Sequence, residues 1–143
     1  MRFRRKELPA ELVPAADAFH AVLAELEPAK AGLTDVLPGT RMPGRPLADA
    51  LAEFEARLAR ARPIMPSWRR PELEREWVAC DEGLRAALSL ARRVRTGASD
   101  VTGFEGLLGL VEELLDPLDP FAEAETRFGQ LCEPVHRRPA RTT

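Results

Sequence analysis

The side chains best suited to metal ligation or nucleophilic chemistry near neutral pH are scarce: two histidines, two cysteines and no tyrosine in 143 residues. His20 follows Asp17 by three residues, so a helix places both on one flank. Di-iron bundles need Glu-x-x-His pairs on two helices, and this chain offers no such second pair. The other histidine, His136, lies in a Pro- and Arg-containing end. We therefore expect no metal. Cys80 falls on an apolar helical stripe, where burial raises a thiol's pKa and makes it inert. Cys132 ends the last apolar run, nearer to solvent, and no basic partner is assigned to it. Both read as packing residues. No catalytic residues and no cofactor are expected, because acid–base chemistry would rest on carboxylates alone.

Two other patterns have binding rather than catalytic character. The loop Gly39-Thr40-Arg41-Met42-Pro43-Gly44-Arg45 precedes a helix and carries two arginines, which makes Arg41 and Arg45 candidate anion contacts. It lacks the Gly-Lys-Ser/Thr ending and the preceding strand of a phosphate-binding loop. A turn with solvated arginines is its plainer reading. Further on, Gly103, Gly106 and Gly109 recur every third residue beside a strongly apolar run. An internal helical glycine costs about 0.5–1 kcal/mol relative to alanine, so close approach of a neighbouring helix or room for a ligand is expected to offset it.

The elements that would position these groups are helices. Leu12, Ala16, Phe19, Leu23, Leu26, Lys30, Leu33 and Leu37 step by four and three, with Val22, Ala29 and Val36 beside them. Pro9 or Pro14 opens this first helix, and Pro28 should kink or split it. A second helix from Pro46 carries Leu47, Leu51, Phe54, Leu58 and Ala61 and stops at Pro63. The connection 63–70 contains Trp68, which either closes the end of the bundle or stays exposed as an anchor; closure is favoured, since aromatic burial dominates core energetics. A third helix, from about Pro71 to Arg95, uses Leu73, Trp77, Cys80, Leu84, Ala87 and Ala91 and ends at Gly97. Thr102 and Glu105 form a capping box before the fourth helix, whose Phe104, Leu107, Leu108, Leu110, Val111, Leu114 and Leu115 leave only a narrow polar strip. A helix apolar over most of its circumference must be buried over most of it. The last helix, from Pro120, uses Phe121, Ala124, Phe128 and Leu131.

No stretch alternates with period two. The expected fold is all-α: an antiparallel up-and-down bundle of four to five helices with Pro-rich connections. The division is a basic N-terminal extension (1–8), a single helical-bundle domain (9–132) and a flexible basic C-terminal tail (133–143).

Composition narrows the function classes. The chain carries 21 basic and 23 acidic residues, a net charge of −2 and 45% hydrophobic residues. A single domain of this length buries about two thirds of the surface its unfolded chain exposes. The balance disfavours a strongly basic nucleic-acid binder. The absence of Asn and Tyr and the single Ile64 fit a high-GC, bacterial type of composition. No apolar run approaches a membrane span and no secretory h-region follows the basic start, so the expected location is cytoplasmic, with no membrane partner. Charge is uneven, however: residues 97–133 hold nine acids and one base, and residues 41–96 hold eight acids and twelve bases.

The expected function is non-catalytic protein–protein interaction or self-association, with another protein or a second copy as partner. Burial of Phe104, Leu107, Val111, Leu114 and Leu115 would drive it, and Gly103, Gly106 and Gly109 would let backbones approach. The alternative is a sensor binding an anionic or amphipathic small molecule in a cavity between helices, with Arg41 or Arg45 at its mouth.

Overall fold

Proline placement and the heptad stripes account for where the helices start and which faces they bury. The computed structural model describes residues 8–39, 43–97 and 103–141, with side chains described as far as residue 132. Every regular element among them is helical. A 3-10 turn, Ala10–Leu12, leads into α1 (Val13–Thr34), and α2 follows at Leu47–Ala61. Two further 3-10 segments, Arg62–Trp68 and Pro71–Leu73, lead into α3 (Glu74–Thr96). Then come α4 (Gly103–Leu115), a 3-10 turn at Asp116–Leu118, and α5 (Pro120–Arg141).

Pro9 caps the first 3-10 turn and Pro14 sits in the first turn of α1, where a missing N–H leaves no helical bond unmade. Of the kink or split expected at Pro28, the split does not occur: α1 is assigned without interruption across it. Leu26, Ala29 and Leu33 are buried on both sides of the proline, so packing holds the two halves in one line of core contacts. The segment after α2 is also more regular than a plain connection. Pro63 and Pro66 both fall within the 3-10 helix Arg62–Trp68, whose residues Met65 and Trp68 are buried. Gly97 ends α3 in an extended conformation.

The stripes form one apolar core. Its centre is aromatic. Phe19 meets the Trp68 ring edge-on at 4.9 Å between centroids and the Phe128 ring at 5.0 Å, and Phe121 lies 6.4 Å away. These contacts tie α1, the 3-10 segment and α5 together, with both tryptophans buried. The Trp68 indole N–H donates to Met65 Sδ at 3.3 Å, and that of Trp77 donates to the Met65 carbonyl at 2.7 Å. The Arg69 guanidinium covers the Trp77 ring at 4.1 Å and also pairs with Glu74 at 2.6 Å.

Ion pairs join the outer edges of α1, α2 and α3. Glu25 of α1 accepts from Arg57 and Arg60 of α2, each at 3.2 Å. Glu55 of α2 accepts from Arg92 at 2.9 Å and Arg95 at 2.6 Å, both on α3. The arginines at the end of α3 are thus cross-helix partners as well as favourable charges at a helix C-terminus. Where α3 passes the turn before α5, Gly83 is buried directly against the Pro117 carbonyl, and any Cβ there would collide with backbone.

Candidate functional site

The unevenly covered element is α4. Gly103 starts it with φ +76°, a left-handed conformation that glycine adopts without cost. From there the helix rests on the core through Leu110, Val111 and Leu114, all buried. Its other apolar side chains are not covered to the same degree. Phe104 is 53% exposed and is the exposed large apolar side chain among the described residues. Leu107, Leu108 and Leu115 are half-buried. At 100° per residue, Phe104, Leu108 and Leu115 fall in one stripe along the edge of the buried face. The expectation that so apolar a helix is buried over most of its circumference therefore fails, because too few elements pack against it.

The residues proposed from sequence as an interaction surface separate accordingly. Phe104 is presented to solvent, and Leu107 and Leu115 are half-covered. Val111 and Leu114 belong to the chain's own core, because they point along the face that α1 and α3 cover. Leu108 completes the outer stripe and was not among the proposed anchors. Its spacing of four from Phe104 and seven to Leu115 was the available signal.

The glycine row has a different meaning from the one expected. Nothing lies within 4 Å of a Cβ built on Gly103 or Gly109, so neither makes a close helix approach within the chain. Gly106 is exposed. The backbone approach that glycine permits occurs instead at Gly83, against Pro117, and at Gly44, against Val36.

Comparison with known proteins adds no relative. No family model, curated protein or solved structure matches this chain.

Arg45 lines an open recess with Thr34, Asp35, Leu37, Gly39 and Pro43. Its guanidinium is held by Glu53 at 2.7 Å, and its backbone N–H donates to the Asp35 carbonyl at 2.8 Å. Glu53 already supplies the negative charge that an anion would bring. Arg41 and Thr102 lie outside the described residues.

The titratable groups that depart from their ordinary behaviour are engaged in structure. Hydrogen bonds from Arg45 and Arg57 hold Glu53 below the usual carboxylate range, and those from Arg95 and Arg92 do the same for Glu55. Arg69 likewise lowers Glu74. Burial, reinforced by the nearby Glu76, Glu123 and Asp81 carboxylates, pushes the Cys80 thiol up, away from the reactive thiolate. Cys132 is also buried, further from solvent than its position at the end of the apolar run implied. Among the described residues no polar or charged side chain is buried, and no group of three or more His, Cys, Asp or Glu is gathered as a metal ion would need. No described helix is long and apolar enough to cross a membrane.

Proposed function

We propose that this chain is a non-catalytic, cytoplasmic helical-bundle protein that works by binding another protein or a second copy through α4. The observation that carries the reading is the half-exposed Phe104, continued by Leu108 and Leu115 along one edge of the helix. Apolar side chains left in water at a helix edge gain free energy when a partner covers them. We further propose that the helices run as an antiparallel up-and-down bundle. The register of the contacts between α1 and α2 supports that order for this pair: Glu25 meets Arg57 and Arg60, whereas Gly32, further along α1, faces Arg45 and Glu53, which precede those arginines. The supporting body then holds α4 at one edge while leaving its outer stripe free.

Native mass spectrometry of the protein purified from its own host tests this, with the wild type beside Phe104→Glu. The expected result is a reproducible second protein, or a multiple of the chain mass, in the wild type and a bare chain in the variant. A wild type that is itself a bare monomer overturns the reading. Far-UV circular dichroism of Phe104→Glu should match the wild type, because the substituted side chain is already half in solvent.

A further inference from the structure

We propose that the occupant of the α4 stripe is a basic amphipathic helix of another protein, an inference that rests on the interaction reading above and specifies its partner. The apolar stripe Phe104, Leu108 and Leu115 has the core on one side and a row of carboxylates on the other. Glu105 and Glu112 are seven residues apart, one position round the helix from Phe104 and three from Leu115, so helical geometry sets them along the stripe's solvent edge. Both are exposed, and neither has an ion-pair partner among the described residues.

Cross-helix and i,i+4 pairing is more developed in the rest of the molecule. Glu25, Glu53, Glu55, Glu74 and Asp81, in α1 to α3, are each held by an arginine. No Lys or Arg stands anywhere between Gly97 and Thr126 to do the same for α4. A second copy laid α4 against α4 in antiparallel fashion would bring two such carboxylate rows to the same side, which like charge opposes. An anionic lipid surface meets the same opposition. A helix with apolar residues at i, i+4 and i+7, flanked by Lys or Arg, would cover the stripe and pair with the row at once. Its charges would also speed association and set its register.

The test uses the full chain and synthetic helical peptides of fourteen residues, read by fluorescence anisotropy at low and moderate salt. The probes are a Leu/Lys amphipathic peptide, its Leu/Glu counterpart, and a Leu/Lys peptide of identical composition with the apolar positions scrambled. The Leu/Lys amphipathic peptide is expected to bind about tenfold or more tightly than either control, with affinity falling as salt rises. Phe104→Glu should abolish that binding, and Glu105→Gln with Glu112→Gln should remove most of the preference for Lys over Glu. Equal binding of the Lys and Glu peptides, or of the scrambled peptide, overturns the inference. So does sedimentation equilibrium giving a dimer of the wild type that Phe104→Glu dissolves, since the stripe would then belong to a second copy. If native mass spectrometry retains a complex sensitive to Phe104→Glu while the peptides bind without charge preference, this inference fails and the interaction reading stands. A bare monomer in mass spectrometry together with no peptide binding removes both.

Discussion

Phe19 in α1 and Phe104 in α4 are the same residue on helices of similar apolar character, and their surroundings are opposite. Phe19 is fully buried, enclosed by Trp68, Phe121 and Phe128 from two other segments. Phe104 has more than half of its surface in water, on a helix whose carboxylates pair with no arginine among the described residues. Coverage is decided by the neighbours that tertiary structure supplies, and a helix's own pattern only says which face asks for it. In the α1–α3 body the apolar face is covered, and Glu25, Glu53, Glu55, Glu74 and Asp81 find arginine partners inside the chain. In α4 only one face does.

The two phenylalanines give the largest contrast. Phe19→Ala should cost about 3–5 kcal/mol of folding free energy, the usual range for emptying a buried aromatic site. Phe104→Ala should change it by no more than about 0.5 kcal/mol, as substitutions at solvent-exposed positions do. Urea unfolding of both variants checks this, and a large loss for Phe104→Ala would erase the distinction between the two regions.

Glycines extend the comparison. Gly83→Ala forces a Cβ into the Pro117 carbonyl and should destabilise by about 1–3 kcal/mol, because backbone on both sides must shift. Gly109→Ala places a methyl where nothing lies within 4 Å, inside a helix, and should stabilise by about 0.5–1 kcal/mol. Thermal melts of the pair should therefore move in opposite directions.

A smaller effect separates the charged edges. Glu55→Gln should cost about 0.2–1 kcal/mol, the range for a partly exposed ion pair, whereas Glu112→Gln, with no partner to lose, should be neutral. Arg95 and Arg92 hold the Glu55 pKa below its ordinary value of 4.5. Its contribution is therefore complete above that value and is lost as pH falls through the lower, folded value. Stability curves from pH 7 down to pH 3 should show the wild type and Glu55→Gln converging at the acid end. Parallel curves would mean that the pairing contributes nothing.

Much of the helical framework was legible in the residues. Four-three spacing marked Leu12, Phe19, Leu26 and Leu33 for burial, and all are buried, while Lys30 in the same row stands exposed, as its charge requires. Prolines at 9, 14 and 46 marked helix starts because they lack an N–H that those positions do not use. The centre of the core was harder to read. Trp68 sits in a segment with prolines at 63 and 66, which argues against α-helix but is compatible with the 3-10 turn that carries the indole inward. The partners of Glu55 were not legible either, since the arginines that hold it lie 37 and 40 residues away. Helix-dipole logic explains arginines at the end of α3 without identifying what they touch. The same limit applies to α4: its sequence marks an apolar helix, and whether that helix is enclosed depends on where α1 and α3 run. The last helix is assigned as far as Arg141, through Pro134 and Pro139.

The central claim is that the Phe104 edge of α4 is left open by its own chain and closed by a partner. Replacing Phe104 with the photo-crosslinker p-benzoylphenylalanine, irradiating the protein in its own host and mapping the adduct by mass spectrometry tests both halves together. The account predicts an intermolecular adduct to a Lys- or Arg-flanked helical segment of another protein. An adduct only to residues of the same chain would mean that the stripe is already covered, and would contradict the claim.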